Sequence, residues 1–108
     1  MIISLVELLP TRDSRQAMLE ILRLAQRGAR TKAACLGCDI YEAVDASHAI
    51  LYLERWRSLE DLCGHVQSGI YLRVLNAMDL AAEQPVVSFH EVSDTKSMDL
   101  VRTLRGSE

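Results

Sequence analysis

Residues 48–78 read HAILYLERWRSLEDLCGHVQSGIYLRVLNAM, and this stretch decides the fold. It opens as an apolar run, Ala49-Ile50-Leu51-Tyr52-Leu53, and turns polar through Glu54-Arg55-Trp56-Arg57. At Ser58 the hydrophobic period changes from two to about 3.6. Ser58 followed by Asp61 is a variant of the capping box. The hydroxyl can accept from an orphan backbone N–H, and the acid sits at the positive helix end. Leu59, Leu62, Cys63 and Val66 then fall at i, i+3, i+4 and i+7, which predicts one apolar helix face. Gly69 interrupts the pattern. Ile70 or Tyr71, Val74, Leu75 and Met78 start a second short stripe. The segment therefore reads strand, sharp turn, helix, kink, helix.

Upstream, residues 2–9 read as a first strand, with Ile3, Leu5 and Leu9 on one side and Ile2, Val6 and Leu8 on the other. Pro10 ends it, because proline lacks the ladder donor. A helix follows, capped by Thr11 or Asp13, with Ala17, Met18, Ile21, Leu22, Leu24 and Ala25 as its apolar stripe. Arg12, Arg15, Glu20, Arg23 and Arg27 make a solvated face, and Gly28 lies near the helix end. Residues 34–43 form the second strand, and Asp45-Ala46-Ser47 a hairpin loop before the third. Downstream, Glu83-Gln84-Pro85 resets the chain, and residues 86–92 form a fourth strand. The tail, 94–108, is polar, but Met98, Leu100, Val101 and Leu104 suit a short docking helix.

The order β-α-β-β-α-α-β predicts an α+β fold of the ferredoxin-like, split βαβ type. Its four-stranded antiparallel sheet carries helices on one face. A half-exposed antiparallel strand should alternate apolar with polar residues. The third strand does not: Leu51 and Leu53 oppose Ile50 and Tyr52. The helices are too few to cover both faces, so the expected cover for the second is another copy, a homodimer formed through the sheet face.

The 108 residues make a single domain, 1–108. Twelve basic against 15 acidic residues leave a net charge of −3, and aromatics are 5%. Without clustered Lys/Arg and stacking rings, nucleic-acid binding is not expected. No apolar run reaches the roughly 20 residues of a membrane span. The segment MIISLVELLP lacks a basic n-region and a small-residue cleavage site, so it reads as a strand rather than a signal peptide. Three cysteines, Cys35, Cys38 and Cys63, with no export signal point to reduced thiols and a cytoplasmic location. Cys35-Leu36-Gly37-Cys38 has C-x-x-C spacing. It opens a strand rather than a helix, and Cys63, His65 and His90 form no second zinc knuckle. The pair is expected in or near the core, and no metal is expected.

An apolar strand ending in Glu54-x-Trp56-x-Ser58, followed by a helix with His65-x-x-Ser68, resembles the antibiotic biosynthesis monooxygenase (ABM) family, especially its small quinol-monooxygenase-like members. Ala34-Cys35 resembles the family's Gly-Cys entry to the second strand. The likeness runs in order and spacing over residues 1–93. Ile70 stands where the family pattern has a second His. The resemblance implies a dimeric α+β barrel and a monooxygenase that uses no cofactor. In such enzymes the substrate is its own reductant: a quinol or phenol is deprotonated, and its anion reacts with O2.

On that basis the expected site is an apolar cleft between sheet and helices, fitted to a small aromatic ligand. His65 is the candidate base and Tyr52 the candidate hydrogen-bond donor to a substrate oxygen. Trp56, Tyr71 and His90 are candidate walls, with His90 a second candidate base. Each has a structural alternative. Trp56 can be a core anchor, Glu54 can pair with an Arg or cap backbone, and His65 can be a surface or capping residue. The function expected is oxidation of a small quinol, phenol or polyketide-like aromatic. The alternatives are a non-catalytic dimeric small-molecule-binding protein of the same fold, or an interaction module acting through its tail. The haem-degrading branch fits poorly, because no His follows His65 before His90.

Overall fold

The computed structural model describes residues 1–106, so positions 107 and 108 of the expected tail lie outside the described residues. The strands are β1 (Ile2–Leu8), β2 (Cys35–Glu42), β3 (Ile50–Trp56) and β4 (Val86–Glu91). The helices are α1 (Arg15–Arg30), α2 (Leu59–Val66), α3 (Gly69–Asp79) and α4 (Met98–Arg105). The sheet is antiparallel in the order β2-β3-β1-β4. This is the ferredoxin-like arrangement that the order of elements predicts.

The period-two pattern of the central strands sets the layers. Ile2, Ser4, Val6 and Leu8 of β1 and Ile50, Tyr52, Glu54 and Trp56 of β3 are all buried. They meet Met18, Leu19, Leu22, Ala25 and Ala29 of α1 and Tyr71, Val74 and Ala77 of α3. The alternate residues, among them Ile3, Leu5, Leu51 and Leu53, lie on the open face and remain half-exposed. Leu5 is directly opposite Leu53 across β1 and β3. Leu8 and Ile50 close the β1–β3 ladder, so Leu9 lies outside the strand.

Local chemistry moved several details. Neither Thr11 nor Asp13 caps α1; Ser14 is the N-cap, and its hydroxyl donates to the Leu80 carbonyl at 2.9 Å rather than capping. Thr11 Oγ1 accepts instead from the Ser14 N–H. In α1, Leu19 is buried whereas Ala17 and Leu24 are exposed, a small rotation of the expected stripe. Gly28 lies in the last turn of α1, near its end as expected, where α3 crosses. A Cβ on Gly28 would stand 2.9 Å from Ile70 Cδ1. Ile70 thus has a packing role, closing the gap between the two helices.

The largest departure is α2. Ser58 caps it as expected, its oxygen accepting from the Asp61 N–H at 3.2 Å. Yet Leu59, Cys63 and Val66 are exposed, and the buried residues are Leu62 and His65. The helix is turned so that a polar ring faces inward, and the reason lies in the site.

Candidate active site around Glu54 and His65

Strand register places Glu54 of β3 between Ser4 of β1 and Cys38 of β2. All three are fully buried. A carboxylate cannot be buried without partners. Glu54 finds neither an Arg nor a free backbone N–H; it takes His65, Nε2 to Oε2 at 2.8 Å. The Trp56 indole N–H also points at Glu54, at 3.4 Å. This pair is what rotates α2: a hydrogen-bonding partner for the buried carboxylate outweighs the apolar count along the helix.

The chain of contacts continues outward. Lys32, in the turn after α1 and half-buried, approaches His65 Nδ1 to 2.9 Å and donates to Ser68 Oγ at 3.2 Å. Ser68 Oγ in turn donates to the His65 carbonyl at 2.6 Å, pinning the kink between α2 and α3. An ammonium has donors only, so Nδ1 accepts from Lys32 and the ring hydrogen sits on Nε2, donated to Glu54. The ring packs on Trp56 at 4.3 Å between centroids and meets the edge of Tyr71 at 5.7 Å. Lys32 Nζ lies 5.9 Å from the Trp56 ring centroid, within cation–π range.

Two buried hydroxyls, Ser4 Oγ and Tyr52 OH, have no hydrogen-bond partner among the described residues. Tyr52 lies beside Cys38 and Glu54 without a well-formed bond to either. Burial pushes its phenol well above the ordinary range, and the Glu54 charge adds to the effect. Burial also raises the Tyr71 phenol and pushes the Cys38 thiol from 9.0 up to about 12.

A group with a raised folded-state pKa keeps its proton in the fold while the unfolded chain releases it. Stability is therefore complete below the unfolded value and falls as pH rises above about 9, by up to about 1.4 kcal/mol per pH unit for Cys38. Urea midpoints between pH 8 and 11 check this. Cys38→Ala is expected to flatten the slope between pH 9 and 10; an unchanged slope would contradict the assignment.

Most of the residues singled out in the sequence converge here. His65, Tyr52, Trp56 and Tyr71 share one buried cluster, together with Glu54 and Ser68. His90 does not join them. It pairs with Ile3 in the β1–β4 register, so it lies on the open sheet face, exposed, with its ring bonded to Ser88 Oγ at 3.0 Å. Where the cleft was expected, Trp56, His65 and Tyr71 are buried and pack on one another. Lys32 was missed because it comes from a turn with no periodic signal. A hollow of about 650 Å³ lined by Arg12, Arg15 and His48 lies at the sheet end remote from Trp56 and takes no part. No group of three or more His, Cys, Asp or Glu among the described residues is placed to hold a metal. No helix among them is long and apolar enough to cross a membrane.

The family model for antibiotic biosynthesis monooxygenase matches residues 1–77. The chain belongs to this family. No curated protein matches it. Among solved structures, the ABM-family chain is similar to Rv0793 of Mycobacterium tuberculosis at 25% identity and TM-score 0.80, with 89% of this chain and 98% of that one covered. A Deinococcus radiodurans protein reaches TM-score 0.80 at 17% identity, covering 90% and 97%. PA3566 of Pseudomonas aeruginosa reaches 0.73 at 18%, covering 86% and 94%. The match to the ABM model takes in Glu54, Trp56, His65 and Tyr71, so the whole buried cluster lies within the family domain.

Proposed function

We propose that this ABM-family protein is a cofactor-independent monooxygenase that oxidises a small quinol, phenol or polyketide-like aromatic with O2. One observation carries the reading: a buried carboxylate, an imidazole and an ammonium hydrogen-bonded in series from the sheet towards the surface. Glu54 holds His65 in one tautomer and balances the charge it gains as a base, the logic of carboxylate–histidine pairs. The substrate hydroxyl docks at the Lys32 end, beside Trp56. Lys32 turns from Nδ1 to the substrate oxygen, and Nδ1 takes the proton. The electron-rich anion then supplies the electrons that reduce O2. For a quinol, one oxygen atom enters the ring to give a hydroxyquinone and the other leaves as water. Trp56 and Tyr71 wall off solvent, and Tyr52 and Ser4 serve the carboxylate end.

Oxygen uptake with reduced menadione tests the proposal. His65→Ala is expected to slow it by roughly 10²–10⁴-fold, the usual span for loss of a general base. No uptake by the unaltered protein across a panel of quinols would contradict it. The tight packing of Trp56, His65 and Tyr71 favours the second reading, a non-catalytic dimeric binder. That reading predicts ligand quenching of Trp56 fluorescence without oxygen consumption.

The same proposal includes a homodimer through the open sheet face. Leu5, Leu51 and Leu53 there are only half-covered, and Tyr41 and Val86 are exposed. A second sheet laid on this face would bury them.

A further inference from the structure

Helix α4 is out of place in a single copy. It is eight residues long and every one of them is exposed. Isolated helices shorter than about 12–15 residues are marginal in water. Yet α4 is capped at both ends, by Ser97 accepting from the Asp99 N–H and by Gly106 in the left-handed region at φ 73°. Met98, Val101 and Leu104, spaced i, i+3, i+6, line one apolar side. The chain is accordingly long, 52 × 36 × 21 Å, with a radius of gyration of 16.0 Å. A compact domain of this length would have about 13 Å.

The body carries an unfilled counterpart. The rotation of α2 leaves Leu59, Cys63 and Val66 outward, and at the adjoining edge of the sheet Phe89 of β4 is exposed as well. Together with Leu62 and Gln67 these residues bound an apolar groove of about 350 Å³. The groove runs along α2, which is also eight residues long, so both elements measure about 12 Å. Glu60 follows the groove residue Leu59 on α2 and Glu91 lies two residues after Phe89 on β4, both exposed, and the last turn of α4 carries Arg105.

We propose that α4 of one copy packs in the Leu59–Cys63–Val66–Phe89 groove of a second copy, and the reverse, closing a two-fold exchange of tails. Residues 92–97 tether α4 with a reach of about 20 Å, and α4 is exposed along its whole length, undocked on its own body. The interface differs from the sheet face, so the exchange stands or falls separately from the sheet-face dimer and from the monooxygenase reading.

Cys63 supplies the test. Val101→Cys places a second thiol on the apolar side of α4. After mild oxidation at micromolar concentration, a covalent dimer should form whose tryptic map joins the Cys63 peptide to the peptide carrying the introduced thiol. The same variant carrying Cys63→Ser should give none. An intramolecular bridge in a monomer would overturn the exchange, as would no bridge at all. If Leu53→Asp abolished the sheet-face dimer and the bridge still formed between chains, the tails alone would hold two copies.

Discussion

Glu54→Ala is expected to lower the unfolding free energy by about 3–5 kcal/mol, the scale set by two buried donors left without an acceptor and the cavity beside them. The loss has a definite source. The imidazole Nε2–H and the indole N–H of Trp56 both aim at Glu54, and neither has exposure enough to turn to water. Without the carboxylate they are left as buried donors lacking an acceptor, which adds a desolvation penalty to the cavity. Glu54→Gln keeps the shape and one acceptor oxygen, so it should cost considerably less. Urea unfolding at pH 7 separates the two. An alanine variant within about 1 kcal/mol of the unaltered protein would show that the pair does not organise this interior.

Leu53→Asp acts on the opposite face. Leu53 sits at the middle of the sheet, opposite Leu5, and is half-exposed in one copy. In a face-to-face dimer it lies at the centre of the contact, where an unpaired carboxylate costs several kcal/mol in each copy. Sedimentation velocity at micromolar concentration should show a dimer for the unaltered chain, and a monomer or an insoluble product for the variant. A soluble folded dimer carrying Leu53→Asp that forms no bridge between Cys63 and a thiol introduced at Val101 would rule out the sheet face as the interface.

How much of this was legible follows from where the information lies. The fold was readable because β3 writes its layers directly: Ile50, Tyr52, Glu54 and Trp56 go in, and Leu51 and Leu53 go out. The Ser58–Asp61 cap fixed where α2 begins. It could not fix which side of α2 faces inward, because that is decided by Glu54, eleven positions before His65 and on another element. Counting apolar residues gave Leu59, Leu62, Cys63 and Val66 as the buried side; Leu62 is buried, and the His65–Glu54 hydrogen bond turned the other three outward. Lys32 had no sequence signal, since a lysine in a polar turn normally faces solvent. His90 was misplaced for a simpler reason. A strand's period tells which residues share a face but not which face is covered, and β4 lies at the edge, beyond the helices.

The central claim is the hydrogen-bonded series Glu54–His65–Lys32, and ¹⁵N chemical shifts of the His65 ring at pH 7 test it most directly. The account predicts a ring protonated at Nε2 with Nδ1 as acceptor, and a Nδ1 shift that moves on Lys32→Met. A ring protonated at Nδ1, or a Nδ1 resonance indifferent to Lys32→Met, would contradict it.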